Sequence, residues 1–169
     1  MAENCIRIRA ATADDVARIR ELIMELAHYE KLEHEMQASE AQLHDALFGD
    51  KPCAEVLMAE FNQQRVGFAL FFHNFSTFVG KRGIYLEDLY VEPDMRGRGI
   101  GKQLLSFLAQ LAIERDCGRF EWSVLDWNQP AIDFYRALGA RGMDEWTVQR
   151  VDGAALTRLA SQYEENLNE

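Results

Sequence analysis

The segment from Ile84 to Gly101 changes period partway along, and that change constrains the fold more than any other feature of the chain. From Ile84 to Val91, β-branched, aromatic and leucine side chains favour a strand, and Pro93, which cannot donate to a ladder, ends it. From Gly101 onward Leu104, Leu105, Leu108, Leu111 and Ala112 recur at helical spacing. Between them Gly97, Gly99 and Gly101 occupy alternate positions. Their unhindered backbone N–H groups can converge ahead of a helix N-terminus, where the summed peptide dipoles favour an anion. The spacing is neither that of a P-loop, since no Gly-Lys-Ser/Thr follows, nor the Gly-x-Gly-x-x-Gly of dinucleotide folds. It is Arg-x-x-Gly-x-Gly, from Arg96 to Gly101.

The rest of the chain supplies elements around this unit. Ile6 to Arg9 alternates as a strand, and Thr12 with Asp15 reads as a capping box for a helix whose apolar stripe is Val16, Ile19, Leu22, Ile23 and Leu26. Ser39 with Gln42 caps a second, short helix that Gly49 stops. Glu55–Phe61 and Val66–Phe72 read as a hairpin around Asn62-Gln63-Gln64-Arg65. A turn near Gly80 to Gly83 leads into the central strand. Beyond the helix after Gly101, Arg119 to Val124 is a strand, and Pro130 suits the first turn of a helix ended by Gly139. Trp146 to Val151 is expected to be a last strand, followed by a short helix capped by Asp152.

Composition narrows the function classes. In 169 residues, 28 acids against 18 Lys and Arg give a net charge of −10, a field that repels nucleic acid and anionic membranes and attracts cations. Cys5, Cys53 and Cys117 are odd in number and widely spaced, which fits a reducing, cytoplasmic setting and argues against a zinc site, so no metal is expected. No apolar run is long enough to span a membrane.

Downstream of the glycine loop, Asn128-x-x-Ala131-x-x-Phe134-Tyr135 leads to Gly139. Together with Arg96 to Gly101, these residues resemble motifs A and B of the GNAT superfamily of acyl-CoA N-acyltransferases. Further residues narrow the resemblance: Leu26-Ala27-x-Tyr29-Glu30, Tyr85-Leu86-Glu87-Asp88 and Trp127-Asn128-x-Pro130 look like the diamine acetyltransferases, which act on polyamines and thialysine. The similarity runs from about Ile6 to about Tyr163. It implies an α/β fold: a single GNAT-type domain over residues 1–169, with a central mixed, mostly antiparallel sheet flanked by helices. It implies acetyl-CoA as cosubstrate, bound by Leu89, Tyr90, Val91, Arg96, Gly97, Arg98, Gly99, Ile100, Gly101, Asn128 and Tyr135. It also implies a small cationic amine as acceptor, contacted by Tyr29, Glu30, Glu87 and Glu145, and a homodimer. The segment between Gly139 and Trp146 is a few residues shorter here than in that family, and Glu145 stands nearest the family's acidic acceptor contact.

The chemistry can be argued from the residues as well. Acyl transfer from a thioester to an amine requires a neutral amine, an oxyanion stabiliser and a proton for the departing thiolate. An alkylammonium is almost wholly protonated at neutral pH, so a carboxylate base is useful. Glu87 sits among Tyr85, Leu86 and Leu89 just ahead of the phosphate loop, where a lone acid is costly unless it faces a cleft or a partner. Strand alternation puts Glu87 and Asp88 on opposite faces, so one of them can share the acceptor cleft, and the resemblance selects Glu87. Tyr135 carries a phenol that is protonated at neutral pH and can serve as general acid. By themselves Phe134 and Tyr135 are equally a packed helix face, Asn128 a helix cap, and Glu30, Glu33 and Glu35 a solvated helix end. The dense aromatic run from Phe68 to Phe78 belongs to the core or to an oligomer face. The expected activity is acetyl transfer from acetyl-CoA to a primary amine of a polycationic acceptor. The alternatives are a GNAT that acetylates another amino acid or a protein amine, and an acyl-CoA-binding module without turnover.

Overall fold

The computed structural model describes residues 5–163. They belong to two compact units, one ending at Ser123 and the other beginning at Val124.

The first unit holds the sheet. In chain order it contains β1 (Ile6–Ala10), α1 (Val16–Tyr29), α2 (Glu40–Phe48), β2 (Glu55–Phe61), β3 (Gln64–Ser76), β4 (Lys81–Val91), α3 (Ile100–Glu114) and β5 (Arg119–Trp122). Spatial order equals chain order, with β1 to β4 antiparallel and β5 parallel to β4. This is the mixed, mostly antiparallel sheet expected. The parallel step falls where α3 separates β4 from β5, because parallel neighbours need a long crossover. Asn62 and Gln63, at φ 48° and 69°, make the β2–β3 turn, since two left-handed residues match the strand twist. β3 and β4 run further than their apolar stretches suggested, pairing out to Ser76 and Lys81, because antiparallel pairing continues until the turn interrupts it.

The capping devices form as read. Thr12 and Asp15 make their reciprocal box at a 3-10 turn, Ala13–Asp15, that leads into α1. Ser39 Oγ accepts from Gln42 N–H at 3.2 Å, and Gln42 Oε1 accepts from Ser39 N–H at 2.9 Å. One core cluster packs the α1 stripe Ile19, Leu22 and Leu26 and α2 Leu47 against Val56, Met58, Phe68 and Tyr90 of the sheet. Burying each large apolar side chain of this kind contributes about 1.5–3 kcal/mol relative to exposure.

A bulge in the β3–β4 ladder positions the candidate site. Leu70 pairs with Asp88, but the next residue, Phe71, pairs with Leu86, so Glu87 is the extra residue. On β3, Phe68 and Leu70 point to one face and Phe71 and His73 to the other. Their partners Tyr90 and Asp88 therefore share the face packed by α1, whereas Leu86 and Ile84 lie on the opposite face. The regular alternation assumed for this strand from its sequence breaks at Glu87.

The second unit contains α4 (Gln129–Ala137) and α5 (Gly153–Ala160). The strand expected from Trp146 to Val151 does not form: the segment joins no ladder, Trp146 N–H closes a turn onto Met143 O at 3.0 Å, and Trp146 and Val148 are exposed. Alternating apolar residues supply strand propensity, but a strand exists only with a partner. Asp152 occupies the N-cap position of α5 without a side-chain bond to the helix.

Candidate active site

The anion loop is assembled between β4 and α3. A 3-10 turn, Pro93–Met95, reverses the chain after β4, with Met95 N–H on Glu92 O at 2.9 Å and Arg96 N–H on Pro93 O at 3.2 Å. Gly97 and Gly99 then adopt φ of 76° and 82°, left-handed values that a side chain strains. A Cβ at either would meet nothing within 4 Å, so the space over both stays open for a ligand to approach the backbone. Gly99 is the N-cap of α3, and the buried Ile100 anchors the helix start in the core. Gln103 N–H returns to Gly99 O at 3.0 Å, so the preceding N–H groups of Ile100, Gly101 and Lys102 come before the first helical bond. This is a donor array at the positive end of a 15-residue helix, suited to a pyrophosphate.

Side chains from α1 brace the loop. Arg96 Nε donates to Val91 O at 3.1 Å, and its guanidinium lies 4.8 Å from the Tyr29 ring centroid and 5.6 Å from that of Tyr90. Arg18 bonds Glu92 ahead of the turn, reaches Glu21 at 2.9 Å and Glu25 at 3.3 Å, and donates through Nε to Arg65 O at 3.1 Å. The Arg98 guanidinium sits 5.1 Å from the Phe61 ring. The Tyr90 ring is buried in the core cluster, and Leu89 and Val91 beside it are half-buried.

The bulge and the end of α1 bring carboxylates together. Glu87 is exposed, Asp88 is half-buried, and Glu30 is the residue that terminates α1. Burial pushes the Asp88 carboxyl up to about 7, with the negative charges of Glu87 and Glu30 adding to the effect. Burial also raises the Glu30 carboxyl. Desolvation and repulsion thus hold a carboxyl near neutrality on the strand that leads into the anion loop, a condition suited to proton transfer at physiological pH and to binding a cation. Asp88 is the residue that sequence reasoning set aside. Its signal was present in Leu86-Glu87-Asp88, but the bulge that sorts the two acids is a property of the ladder. Among the other acids after α1, Glu33 is held by His28, Nδ1 to Oε1 at 2.5 Å, and Glu35 lies 3.3 Å from His34 Nε2.

In the second unit, the buried Asn128 caps α4, its Oδ1 accepting from Ala131 N–H at 3.4 Å, and Pro130 lies in the first turn. Tyr135 lies in the last turns of α4, its ring 5.6 Å from that of Phe134, and Gly139 follows the helix at φ 94°. Glu145 is exposed, within the turn that Met143 and Trp146 close. Among the described residues, no group of three or more His, Cys, Asp or Glu side chains is arranged to hold a metal ion. No helix among them is long and apolar enough to cross a membrane.

Comparison with known proteins identifies the family. Residues 16–140 match the model of the acetyltransferase (GNAT) family. A thialysine N-epsilon-acetyltransferase of Sus scrofa is 40% identical over 93% of this chain and 98% of its own. The L-ornithine N5-acetyltransferase of Arabidopsis thaliana is 32% identical over 90% of this chain and 87% of its own. Among solved structures, an integron cassette protein from the mobile metagenome of V. cholerae superposes with a TM-score of 0.78 at 28% identity, covering 93% of this chain and 98% of that one. GNAT acetyltransferases use acetyl-CoA as cosubstrate. The chain belongs to the GNAT acetyltransferase family and is an acetyltransferase.

Proposed function

We propose that this enzyme transfers the acetyl group of acetyl-CoA directly to a primary amine of a small polycationic acceptor, a polyamine or a thialysine-like diamine. The observation that carries the reading is the group of carboxylates Glu30, Glu87 and Asp88 at the end of α1 and the β4 bulge, next to the strand exit that feeds the anion loop. A cation bound there relieves their mutual repulsion, and a second positive charge makes fuller use of three acids than a single one does. The 40% identical relative named for thialysine supports the same acceptor class.

The pyrophosphate is held by backbone N–H groups from Gly97 to Gly101, with Arg98 adding charge. Leu89, Tyr90 and Val91 contribute through the main chain, which the buried Tyr90 ring fixes in place. Asn128 shapes the start of α4, and Tyr135 on that helix donates the proton to the departing thiolate. Proton removal from the ammonium falls to the adjacent acids at the bulge: Glu87 has the role by resemblance, and Asp88 has a carboxyl that titrates near neutrality. The bulge takes Glu87 out of the β3 register, and a main-chain N–H released from the ladder there is our candidate for stabilising the tetrahedral oxyanion. The resemblance to the diamine acetyltransferases assigns acceptor contact to Tyr29, Glu30 and Glu145. We read residues 1–169 as one functional domain working as a homodimer in the cytoplasm, without nucleic acid or membrane partners. The exposed Phe75, Phe78 and Val79 at the β3–β4 turn support the dimer, and the three free cysteines support a reducing compartment.

An amine screen with acetyl-CoA, read by thiol release, tests the reading. Spermidine and thialysine are expected to outrun a monoamine of equal length, lysine peptides and aminoglycosides, with the preference reduced by Glu30→Gln. Equal rates for diamine and monoamine would overturn it, and absence of turnover with every amine would favour an acyl-CoA-binding module. A preference abolished by salt yet indifferent to Glu30 would assign it to the net charge alone.

A further inference from the structure

We propose that Tyr29 is a positioning residue for the cofactor loop, acting through Arg96, so that the end of α1 on the acceptor side and the pyrophosphate cradle are held as one unit. The proposal rests on reading Arg96 to Gly101 as the CoA site and assigns to Tyr29 a role different from acceptor contact. Three contacts fix Arg96: its Nε donates to Val91 O at 3.1 Å, the Tyr90 ring centroid lies 5.6 Å from its guanidinium, and the Tyr29 ring centroid lies 4.8 Å away. Tyr90 is a buried core residue of β4, while Tyr29 is the last residue of α1 and is 38% exposed. The guanidinium at the entrance of the glycine loop is therefore held between a ring of the sheet and a ring of the first helix.

Gly97 and Gly99 make the loop behind Arg96 the most conformationally free stretch between β4 and α3, since their left-handed φ values are ones that glycine leaves as readily as it enters. Something outside the loop must select the conformation in which its N–H groups converge. Arg96 couples the entrance of the loop to fixed structure, and a planar, delocalised guanidinium stacks on aromatic rings where an ammonium would only sit above one. The second link from α1 lies at the strand exit, where Arg18 bonds Glu92. α1 thus grips both ends of the Pro93–Met95 turn, through Glu92 before it and Arg96 after it. The contact with Arg96 is made by the aromatic face of Tyr29.

The test is calorimetric titration of acetyl-CoA into the full-length protein, with thermal melts to verify folding and steady-state kinetics beside it. Tyr29→Leu is expected to weaken acetyl-CoA binding about two- to fivefold, the range that one cation–π contact supports, and to raise the KM for acetyl-CoA by a similar factor. Tyr29→Phe is expected to bind as wild type. In an Arg96→Gln background, Tyr29→Leu should add nothing further, because the two residues act in series. Wild-type affinity in Tyr29→Leu, an equal loss in Tyr29→Phe, or an effect confined to the KM of the amine would each overturn the proposal. If the loop is not the CoA site, Arg96→Gln and Gly99→Val will themselves leave binding unchanged, which separates failure of the site assignment from failure of the positioning role.

Discussion

Asp15 takes both terminal nitrogens of Arg9, Nη1 to Oδ2 at 2.7 Å and Nη2 to Oδ1 at 3.0 Å, with its carboxylate almost completely buried. Thr12 N–H at 2.8 Å and Arg65 Nη1 at 3.2 Å complete its shell, and Arg9 Nε reaches Glu60 at 2.7 Å. The entry to α1, the edge strand β1 and the β2–β3 hairpin are tied at one carboxylate.

Asp15→Asn is expected to cost on the order of 2–4 kcal/mol, because it leaves two guanidinium groups without their shared charge. The Arg9 guanidinium, bonded directly, holds the Asp15 carboxyl well below the usual carboxylate range. An acid with a lowered native pKa contributes stability above its unfolded value near 4 and loses it as pH falls below that. Urea melts at pH 7 and pH 3 should show a smaller difference between variant and wild type at pH 3. An unchanged difference would place the effect elsewhere than in the charge.

Asp88 has the opposite sign. With its native pKa raised to about 7 against an ordinary value near 4, the folded protein holds a proton that the unfolded chain has released across that interval. Its contribution therefore declines as pH rises from about 4 to about 7. Asp88→Asn should gain stability relative to wild type, on the order of 1–2 kcal/mol, when urea melts at pH 8 are compared with those at pH 5. If Asp88 is the proton acceptor, the acidic limb of the kcat/KM profile should also move in Asp88→Asn more than in Glu87→Gln. The reverse order would return the base to Glu87.

Gly99→Val should raise the dissociation constant for acetyl-CoA more than tenfold. Valine is strained at φ 82°, and its branches would fill the open space above the loop. Calorimetry that gives wild-type affinity for a folded variant would remove the pyrophosphate from this loop.

Tyr135→Phe should lower kcat by about a hundredfold or more, in the range of a lost general acid, while the acetyl-CoA dissociation constant stays close to wild type. A variant at full rate would make Tyr135 a packing residue of α4 beside Phe134.

The aromatic run on β3 divides by position. Phe68 and Phe71 are core, whereas Phe75 and Phe78 lie toward the β3–β4 turn, with Phe78 99% exposed. Phe78→Ser is expected to shift sedimentation toward the 19.4 kDa monomer without loss of folding. A wild-type protein that is already monomeric would refute the dimer.

What the sequence determined by itself was local. Glycines at alternate positions after a proline-terminated strand, a helical leucine stripe, two capping boxes and a hairpin around Asn62 to Arg65 each depend on residues a few positions apart, and short-range sterics and hydrogen bonding decide them before any tertiary contact forms. The two motifs, Arg96 to Gly101 and Asn128 to Tyr135, were equally legible because the resemblance to the GNAT superfamily is carried by spacing along the chain. What tertiary structure decided were relations across strands and helices. Leu70 and Phe71 skip Glu87 in the β4 register, and that slip, invisible in an alternating sequence, sets Asp88 on the α1 side where burial and neighbouring charge raise its pKa. The ring of Tyr29 meets Arg96 only because α1 packs over β4. Trp146 to Val151 alternates as a strand should and forms none, since propensity is intrinsic to a segment but a ladder needs a second strand in reach.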